Sequence, residues 1–391
     1  MPHLSHCNSQ LPELLEAVHA IGRDIIAPCA AEVDRDARFP REAFAALKAQ
    51  KLLSSYIPVE FGGMGLSITD ISQLCEALGQ YCASTAMVFA MHQIQVGCIV
   101  HHALGSPYFQ KYARELVAHQ YLIASATTEL GIGGDVRSSI CAVQVSGNRF
   151  TLEKQTPVIS YGAVADTILV TCRKAEDASP SDQVQVLVHH DDFVLTKLSG
   201  WDTLGFRGTC SEGFALKSQG RAEQILPVPY AEIHTRTMHP FAHVVWSSLW
   251  LGLAVDAVQR ARQAVRAEAR KNPSVMPISA TRLAEVDTVL FSMRGGVYQT
   301  LAEYHEFLLN KAPESGSNFG FSIAINNLKI TSSQLVVEIV SKAMVICGIS
   351  GYRNDSKLSL GRHLRDAYGA ALMVNNDRIL GQSATMQNVQ R

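Results

Sequence analysis

A run of hydroxyl-bearing residues and glycines in the first half of the sequence could hold a flat ligand with a polar edge. Residues 125–134 contain the hydroxyls of Ser125, Thr127 and Thr128, followed by Gly133 and Gly134. Hydroxyls and backbone N–H groups donate hydrogen bonds, and glycine lets the backbone approach a ligand closely. The same residues would also form an ordinary glycine turn at the end of a strand, so the pattern alone leaves both interpretations open.

Two histidines in the second half of the chain, His239 and His243, are four residues apart. That spacing would let one helix face present both rings to a metal ion, but no third ligand is apparent, so we predict no metal site. A neutral imidazole can accept a proton near neutral pH, which makes His243 a candidate general base. A histidine at the start of a helix could equally serve only as a structural hydrogen-bonding group.

The composition excludes several classes of protein. The chain has 391 residues, of which 47 % are apolar and 18 % charged, and its net charge is −1. This length suggests two or three domains or one large one, and the charge balance argues against general binding to nucleic-acid backbones. Nine scattered cysteines without a CxxC pair predict reduced thiols in a cytoplasmic protein. We expect no secretory signal in residues 1–10 and no apolar run long enough to cross a membrane.

The hydrophobic pattern changes twice along the chain. In the first third, apolar residues such as Leu11, Leu14 and Val18 recur about every 3.6 positions, which predicts helices. From about residue 121, short β-branched runs alternate with turn residues, which predicts a sandwich or barrel. These strands are predicted at 138–145, 149–152, 167–172 and 184–189. Long helical patterns then return, separated by a loop at 312–320. These helices are predicted at 244–270, 280–311, 322–346 and 360–380.

Five separated segments resemble the acyl-CoA dehydrogenase family. Each segment alone is a weak signal, but together they follow the family's order and extend over nearly the whole chain. They are residues 57–65 (IPVEFGGMG), 127–135 (TTELGIGGD), 159–166 (ISYGAVAD), 204–211 (LGFRGTCS) and the pair 347–352 and 362–367 (CGISGY and RHLRDA).

The resemblance implies an α+β multidomain fold. It places an N-terminal helical domain at residues 1–118, a middle β-barrel or sandwich at 119–232, and a C-terminal four-helix bundle at 233–391. It also implies FAD, bound between the β domain and the C-terminal helices. Ser160 stands where the family has a Ser or Thr beside the flavin N5 edge. The residues expected at the flavin are Ser125, Thr127, Thr128, Gly133, Gly134, Ile159, Ser160, Cys347, Gly348 and Asn376.

The catalytic base of the family is missing from this sequence. In the family, a Glu removes the α-proton of an acyl thioester, and it usually lies nine residues after the Arg of the RDA motif. Counting from Arg365 gives Val374, and the family's alternative Glu position falls on Ala242. Neither side chain takes a proton, so His243 is the one titratable group that the alignment places near the old site. The backbone N–H of Val374 could still help to hold the thioester oxygen.

Three functions therefore stay open. The first is an FAD-dependent dehydrogenase for an acyl thioester carried on coenzyme A or an acyl carrier protein, with His243 replacing the Glu. The second is a monooxygenase of the same fold, which would use reduced flavin and oxygen and would not need the Glu. The third is a non-catalytic subunit. The resemblance also implies a homotetramer or homodimer, and we expect neither nucleic acid nor a membrane as a partner.

Overall fold

The computed structural model describes residues 11–271, 273–309 and 319–389. It confirms the predicted order of helices, strands and helices. Local signals explain several helix starts: Ser67 and Asp70 form a capping box before one helix, and Pro40 directly precedes another. The N-terminal helices are α1 (Leu11–Ile21), α2 (Ala27–Arg35), α3 (Arg41–Ala49), α4 (Ile68–Gly79), α5 (Ala83–His102) and α6 (Pro107–His119).

The strands form two sheets. In the three-stranded sheet, of order β1-β4-β5, β1 and β4 are parallel, whereas β4 and β5 are antiparallel. The four-stranded sheet, of order β2-β3-β7-β6, is antiparallel throughout. The strands are β1 (Ile123–Ala126), β2 (Gln144–Ser146), β3 (Arg149–Ile159), β4 (Thr167–Arg173), β5 (Gln183–His189), β6 (Phe193–Ser199) and β7 (Glu212–Arg221).

The prediction of a strand at 138–145 is wrong for most of that segment. Only the short β2 and an isolated bridge at Ala142 form there. The reason is a side chain: the carboxylate of Glu129 accepts the backbone N–H groups of Ile140 and Cys141, at 3.2 and 2.6 Å. Because these N–H groups are already satisfied, the segment needs no neighbouring strand.

Long helices return after β7, as predicted. The predicted loop at 312–320 lies outside the described residues, except for its last two positions, which are helical. Predicted domain limits at 118/119 and 232/233 fall near the end of α6 and within α7, and they remain a prediction. The C-terminal helices are α7 (Tyr230–Ile233), α8 (His239–Lys271), α9 (Ile278–Leu309), α10 (Phe319–Cys347), α11 (Ile349–Tyr352), α12 (Gly361–Leu372) and α13 (Asn376–Val389).

The continuous helix predicted at 360–380 is wrong, because the chain breaks between α12 and α13. Val374 lies in this break with a φ of 44°, a left-handed conformation that a β-branched residue rarely adopts. Lys329 on α10 holds the break: its Nζ donates to the Val374 carbonyl at 3.3 Å and to Asn376 Oδ1 at 2.7 Å. Tertiary contacts thus override a helical sequence pattern at this point.

Three helical stretches have the length and hydropathy of a membrane span, which the sequence pattern did not lead us to expect. They are Ala83–His102, Tyr230–Lys271 and Phe319–Cys347, and 89 %, 83 % and 50 % of their most apolar windows are buried within the protein. The first two therefore supply the core of the fold with apolar side chains. The eight cysteines in the described residues are all free thiols, as expected.

One residue, Asp34, joins the three parts of the fold. Asp34 on α2 pairs with the guanidinium of Arg365 on α12, and its backbone carbonyl accepts from Arg207 Nε at 2.8 Å. Arg365 also donates to the Leu204 carbonyl at 3.1 Å. Nearby, a Cβ on Gly205 would lie 2.2 Å from the Arg365 carbonyl oxygen, so this approach requires glycine. The fourth and fifth segments of the family resemblance thus meet in space.

Candidate active site

A cavity of about 650 Å³ lies where the helices and the sheets meet. Its wall combines residues from α5, the ends of β1 and β3, the segment 201–211, the start of α8 and the end of α12. This volume lies within the range of small-molecule sites, and most of the wall is apolar. A larger groove of about 770 Å³ on the sheets contains none of the predicted site residues.

The cavity contains several of the residues that the sequence singled out, but not all of them. Ile159 is buried outside the wall, and Gly133 and Gly134 lie in a turn whose Gly133 carbonyl accepts from Arg378 on α13. Cys347, Gly348 and Asn376 also lie outside the wall, so a flavin contact of these residues stays a prediction. The predicted residues in the wall are Ser125, Thr127, Thr128, Ser160, Ala242, His243 and Val374.

Hydroxyl groups form a polar edge on one side of the cavity. Ser160 Oγ lies 2.8 Å from Ser211 Oγ, which lies 2.7 Å from Thr209 Oγ1. Thr209 donates its proton to the Phe206 carbonyl at 2.8 Å. Each hydroxyl has one proton, so Ser211 donates to Thr209 and Ser160 donates to Ser211. Ser160 therefore offers lone pairs, not a proton, to a ligand in the cavity.

The second part of the polar edge follows β1. Ser125 Oγ and Thr127 Oγ1 are 2.8 Å apart, and Thr128 Oγ1 donates to the Val158 carbonyl at 3.3 Å. Hydroxyls on one side of an otherwise apolar cavity fit an isoalloxazine ring, which is flat and carries its polar atoms along one edge. The residues present therefore fit a flavin, with Ser125, Thr127, Thr128 and Ser160 as the groups that would hold it.

A buried ion pair fixes the loop that carries these hydroxyls. Lys154 on β3 crosses between the sheets, and its Nζ donates to the carbonyls of Ala126 and Thr127, at 3.0 and 3.1 Å, and to Thr171. The Glu129 carboxylate lies 4.0 Å away, and burial lowers the pKa of Lys154. The sequence contained a signal that we did not use: Lys154 occupies an inward position of an alternating strand.

Replacing this lysine should destabilise the protein strongly. In Lys154→Met, the carboxylate of Glu129 stays buried without its cation, which costs about 3–5 kcal/mol of unfolding free energy. Urea unfolding, followed by far-UV circular dichroism, measures the change. Lys217→Met is the matched control, because Lys217 forms an exposed pair with Glu153 and such pairs contribute about 1 kcal/mol or less. Equal losses in the two variants would contradict the structural role of Lys154.

Three histidine rings line up along the opposite wall. The ring centroids of His234 and His239 are 5.5 Å apart, and those of His239 and His243 are 4.3 Å apart. Burial lowers the pKa of His234 to about 3 and that of His239 to about 4, and it places the pKa of His243 well below its usual value. The three imidazoles are therefore neutral at physiological pH. No group of three or more metal-ligating side chains occurs among the described residues.

Hydrogen bonds fix the tautomers of two of these rings. His239 Nε2 donates to Asn326 Oδ1 at 2.9 Å, because the Asn326 amide nitrogen itself donates to Ser383. His243 Nδ1 faces the carbonyl of Ile325 at 3.4 Å, and a carbonyl can only accept, so this nitrogen carries the proton. His243 Nε2 is then left with a free lone pair, which is what a general base requires.

Buried neutral histidines, in the cavity wall and elsewhere, predict that the stability of the fold decreases in acid. His92 donates from Nε2 to the Leu53 carbonyl and accepts the Ile123 N–H at Nδ1, so the fold requires it neutral; its pKa is lowered to about 4. The unfolded chain binds these protons near pH 6.5, and the folded chain only near pH 4, so stability falls as the pH falls between them.

Lowering the pH from 7.5 to 5.5 should therefore reduce the unfolding free energy by about 1.4 kcal/mol for each fully buried neutral histidine, such as His92 or His243. Asp366 acts in the opposite direction, because burial raises its pKa to about 6. Urea midpoints at the two pH values measure the net effect, and His190→Gln is a control because His190 is exposed. A midpoint that does not change would contradict the neutral state of the buried rings.

The positions of the missing base border the same cavity. Val374 and Ala242, the two places where the family has its Glu, both lie in the wall together with His243. No Asp or Glu of the described chain lines this cavity. Among the described residues, the Val374 N–H has no hydrogen-bond partner, so it is free to donate to a ligand oxygen. Burial lowers the pKa of the neighbouring Lys329 to about 8.

Sequence reasoning missed several polar residues of the wall, including His234, Trp246 and Gln95. Trp246 lies one helical turn after His243, and Gln95 follows Met87 and Met91 on one face of α5. The helical spacing of three or four residues was visible in both cases and could have identified them.

Comparison with known proteins agrees with this architecture. A family model described as the acyl-CoA dehydrogenase N-terminal domain matches residues 9–129, and one described as the acyl-CoA dehydrogenase C-terminal domain matches residues 238–373. A cyclohex-1-ene-1-carbonyl-CoA dehydrogenase of Syntrophus aciditrophicus is 25 % identical over 371 residues, which cover 90 % of this chain and 84 % of the relative.

Two solved structures, one of a dehydrogenase and one of a monooxygenase, are similar in fold to this chain. Butyryl-CoA dehydrogenase from Megasphaera elsdenii has a TM-score of 0.81 and 18 % identity, with 97 % of this chain and 98 % of that chain covered. TdsC from Paenibacillus sp. A11-2, a dibenzothiophene monooxygenase solved with FMN bound, has a TM-score of 0.83 and 17 % identity, with 95 % and 96 % covered. At these identities, the two structures support the fold.

Proposed function

Because the chain belongs to the acyl-CoA dehydrogenase family, whose members are flavin oxidoreductases, we propose that it is an FAD-dependent dehydrogenase of an acyl thioester, with His243 as the base. The acyl group would be carried on coenzyme A or an acyl carrier protein, and the enzyme would act in the cytoplasm as a homotetramer or homodimer. The observation that most supports this function is the neutral His243 ring in the wall of the flavin-sized cavity.

In this function, His243 Nε2 accepts the α-proton of the thioester. The Ile325 carbonyl keeps the other ring nitrogen protonated, and the resulting imidazolium would strengthen that hydrogen bond. The Val374 N–H donates to the thioester oxygen and so stabilises the negative charge that develops there. A bound flavin would supply the hydride acceptor, so that loss of the α-proton to His243 and of a hydride from the β-carbon would leave a Cα=Cβ double bond.

The residues on the other wall hold and orient the cofactor. Ser125, Thr127 and Thr128 present hydroxyls on the loop that Lys154 fixes. The apolar remainder of the wall excludes water, which strengthens each of these polar contacts. FAD is the form of flavin that the family resemblance suggests.

One experiment separates this function from the others. The protein is purified with FAD and mixed anaerobically with a panel of acyl-CoA thioesters while the oxidised flavin band is recorded. Bleaching of that band by a thioester supports dehydrogenation. A protein that binds FAD, is not bleached by any thioester and forms no product with oxygen would contradict the proposal. A colourless protein that does not bind FAD would instead support a non-catalytic subunit.

A monooxygenase is the second candidate, and one observation favours it. No described Asp or Glu lines the cavity. A monooxygenase needs no base to remove an α-proton, so its reaction does not require the missing carboxylate. Product formation with NADH, a flavin reductase and oxygen, without bleaching by thioesters, would support this candidate and contradict the first.

A further inference from the structure

A buried cation lies behind the break between α12 and α13. Lys329 on α10 is 0 % exposed, and its Nζ donates to the Val374 carbonyl at 3.3 Å and to Asn376 Oδ1 at 2.7 Å. Burial lowers its pKa, and no charged side chain of the described residues offsets that effect. The ammonium group therefore gives up its hydration and gains in return the neutral oxygens of the break.

The side chain of Asn376 is held from both ends. Its Nδ2 donates to Ser333 Oγ at 3.0 Å, and the Ser333 hydroxyl donates to the Ile330 carbonyl at 2.7 Å. Ser333 lies one helical turn after Lys329 on α10, so both residues contact the break from the same helix face. These contacts fix the backbone on both sides of residue 375.

The break keeps one backbone donor out of the helix. The Met373 N–H donates to the Gly369 carbonyl at 3.1 Å, and the next bond of this helical series would join the Val374 N–H to the Ala370 carbonyl. That bond does not form, because Met373 has an extended ψ of 120°. Val374 is 44 % exposed and lies in the cavity wall, so a ligand in the cavity can reach this residue.

The conformation of the break needs support from outside α12. A left-handed φ of 44° costs free energy at a β-branched residue such as Val374, and the hydrophobic pattern of residues 360–380 favours a continuous helix. The contacts of Lys329 offset that cost. If they are lost, we expect residues 373–375 to relax toward the helix, which would pair the Val374 N–H with the Ala370 carbonyl.

We propose that Lys329 is a positioning residue for the thioester, because it holds the break and so keeps the Val374 N–H unpaired in the cavity wall. The inference rests on the proposed function, in which this N–H donates to the thioester oxygen. Lys329 itself lies outside the wall and acts through Val374. It is therefore a residue that the pattern of family segments did not identify.

The first measurement needs no ligand. Hydrogen exchange, resolved to single amides by mass spectrometry, compares the FAD-loaded protein with its Lys329→Met variant at one pH. Met has a similar length but neither a charge nor a donor. We expect the Val374 N–H to exchange about two- to tenfold more slowly in Lys329→Met, because it gains a helical hydrogen bond there. A contact that serves only to hold the fold together would give faster exchange when it is removed.

The matched control lies on the same helix. Lys342 on α10 forms an exposed pair with Glu338 at 2.7 Å. Lys342→Met therefore removes a lysine of the same helix without touching the break, and exchange at Val374 should stay as in the unmodified protein.

The second measurement is thioester binding. The bound FAD is first reduced under anaerobic conditions, so that a thioester binds without being turned over, and the protein is titrated by calorimetry with alkanoyl-CoA thioesters of four to eight carbons. We expect Lys329→Met to bind the best of these ligands about two- to tenfold more weakly than the unmodified protein, because one hydrogen bond to the thioester is lost. Lys342→Met should bind it as the unmodified protein does.

The pH dependence of this affinity distinguishes a positioning role from a merely structural one. The pKa of Lys329 is about 8, so its ammonium group becomes a neutral amine between pH 7 and pH 9.5 and holds the Val374 carbonyl more weakly. The charge of Lys329 also acts on His243 of α8, but that ring stays neutral throughout this range. Affinity should therefore fall with rising pH in the unmodified protein and should not change in Lys329→Met.

The outcomes separate this inference from the proposed function. Equally fast exchange at Val374 in Lys329→Met, or an unchanged thioester affinity in that variant, overturns the inference even when thioesters bleach the flavin. If Lys329→Met does not fold, an affinity of the unmodified protein that is constant from pH 7 to pH 9.5 overturns it. An unmodified protein that binds no thioester contradicts the proposed function and the role of Lys329 toward the thioester, whatever the exchange result.

Discussion

In the His243→Ala background, the Val374→Glu variant should reduce its flavin with an acyl-CoA thioester about 10²–10⁴-fold faster than a protein that keeps Val374. Val374 lies in the cavity wall at the place where the family has its catalytic Glu. A carboxylate there would accept the α-proton from a position that already faces the ligand. The ammonium group of Lys329, which holds the Val374 carbonyl at 3.3 Å, would keep the new carboxylate ionised.

Stopped-flow absorbance of the oxidised flavin band under anaerobic conditions measures this gain. Val374→Gln in the same background is the matched control, because Gln has the size of Glu and takes no proton, and it should stay at the rate of His243→Ala alone. The left-handed backbone at residue 374 is retained in both variants and tolerates Glu or Gln better than a β-branched side chain. A Glu variant no faster than the Gln variant would show that position 374 does not face the α-carbon.

Removing the imidazole of His243 should have the opposite effect. His243→Ala should slow flavin reduction by a thioester about 10²–10⁴-fold, because it removes the ring nitrogen that the proposed function uses as the base. The rate constant of flavin reduction, measured across pH, shows the loss. His243→Gln is a second variant, since it can still donate to the Ile325 carbonyl but is not a base, and it should be equally slow.

Val374→Glu and His243→Ala together form a double-mutant cycle. If His243 and a Glu at position 374 perform the same proton transfer, then the double variant V374E/H243A should recover most of the rate lost in His243→Ala. Unchanged bleaching in both His243 variants would show that His243 is not the base and would contradict the proposed mechanism.

The order of the elements could be predicted from the sequence, because hydrophobic periodicity and the family segments are both local signals. The break after α12 could not. Residues 373–375 include no glycine or proline, so nothing in the local sequence ends the helix there. The break depends on Lys329, which is more than forty residues away along the chain and buried beneath it.

The polar edge of the site was predictable only in part. Thr127, Thr128 and Ser160 were identified by their place in family segments, and Ser125 by its place at the start of the hydroxyl-rich run 125–134; all four line the cavity. The direction of the hydrogen bonds from Ser160 was not, because it depends on Thr209 and Ser211 in another segment. Unpaired atoms are likewise a property of the folded packing.

The residues that form the cavity wall are far apart along the chain, and this affects how the newly synthesised protein folds. The wall begins at Met87 on α5 and is completed by Val374 after α12. A nascent polypeptide therefore has no complete cavity until Val374 has left the ribosome, so the helices and sheets made before it fold without help from a bound cofactor. Only after that point can a bound cofactor add its binding energy to the stability of the fold.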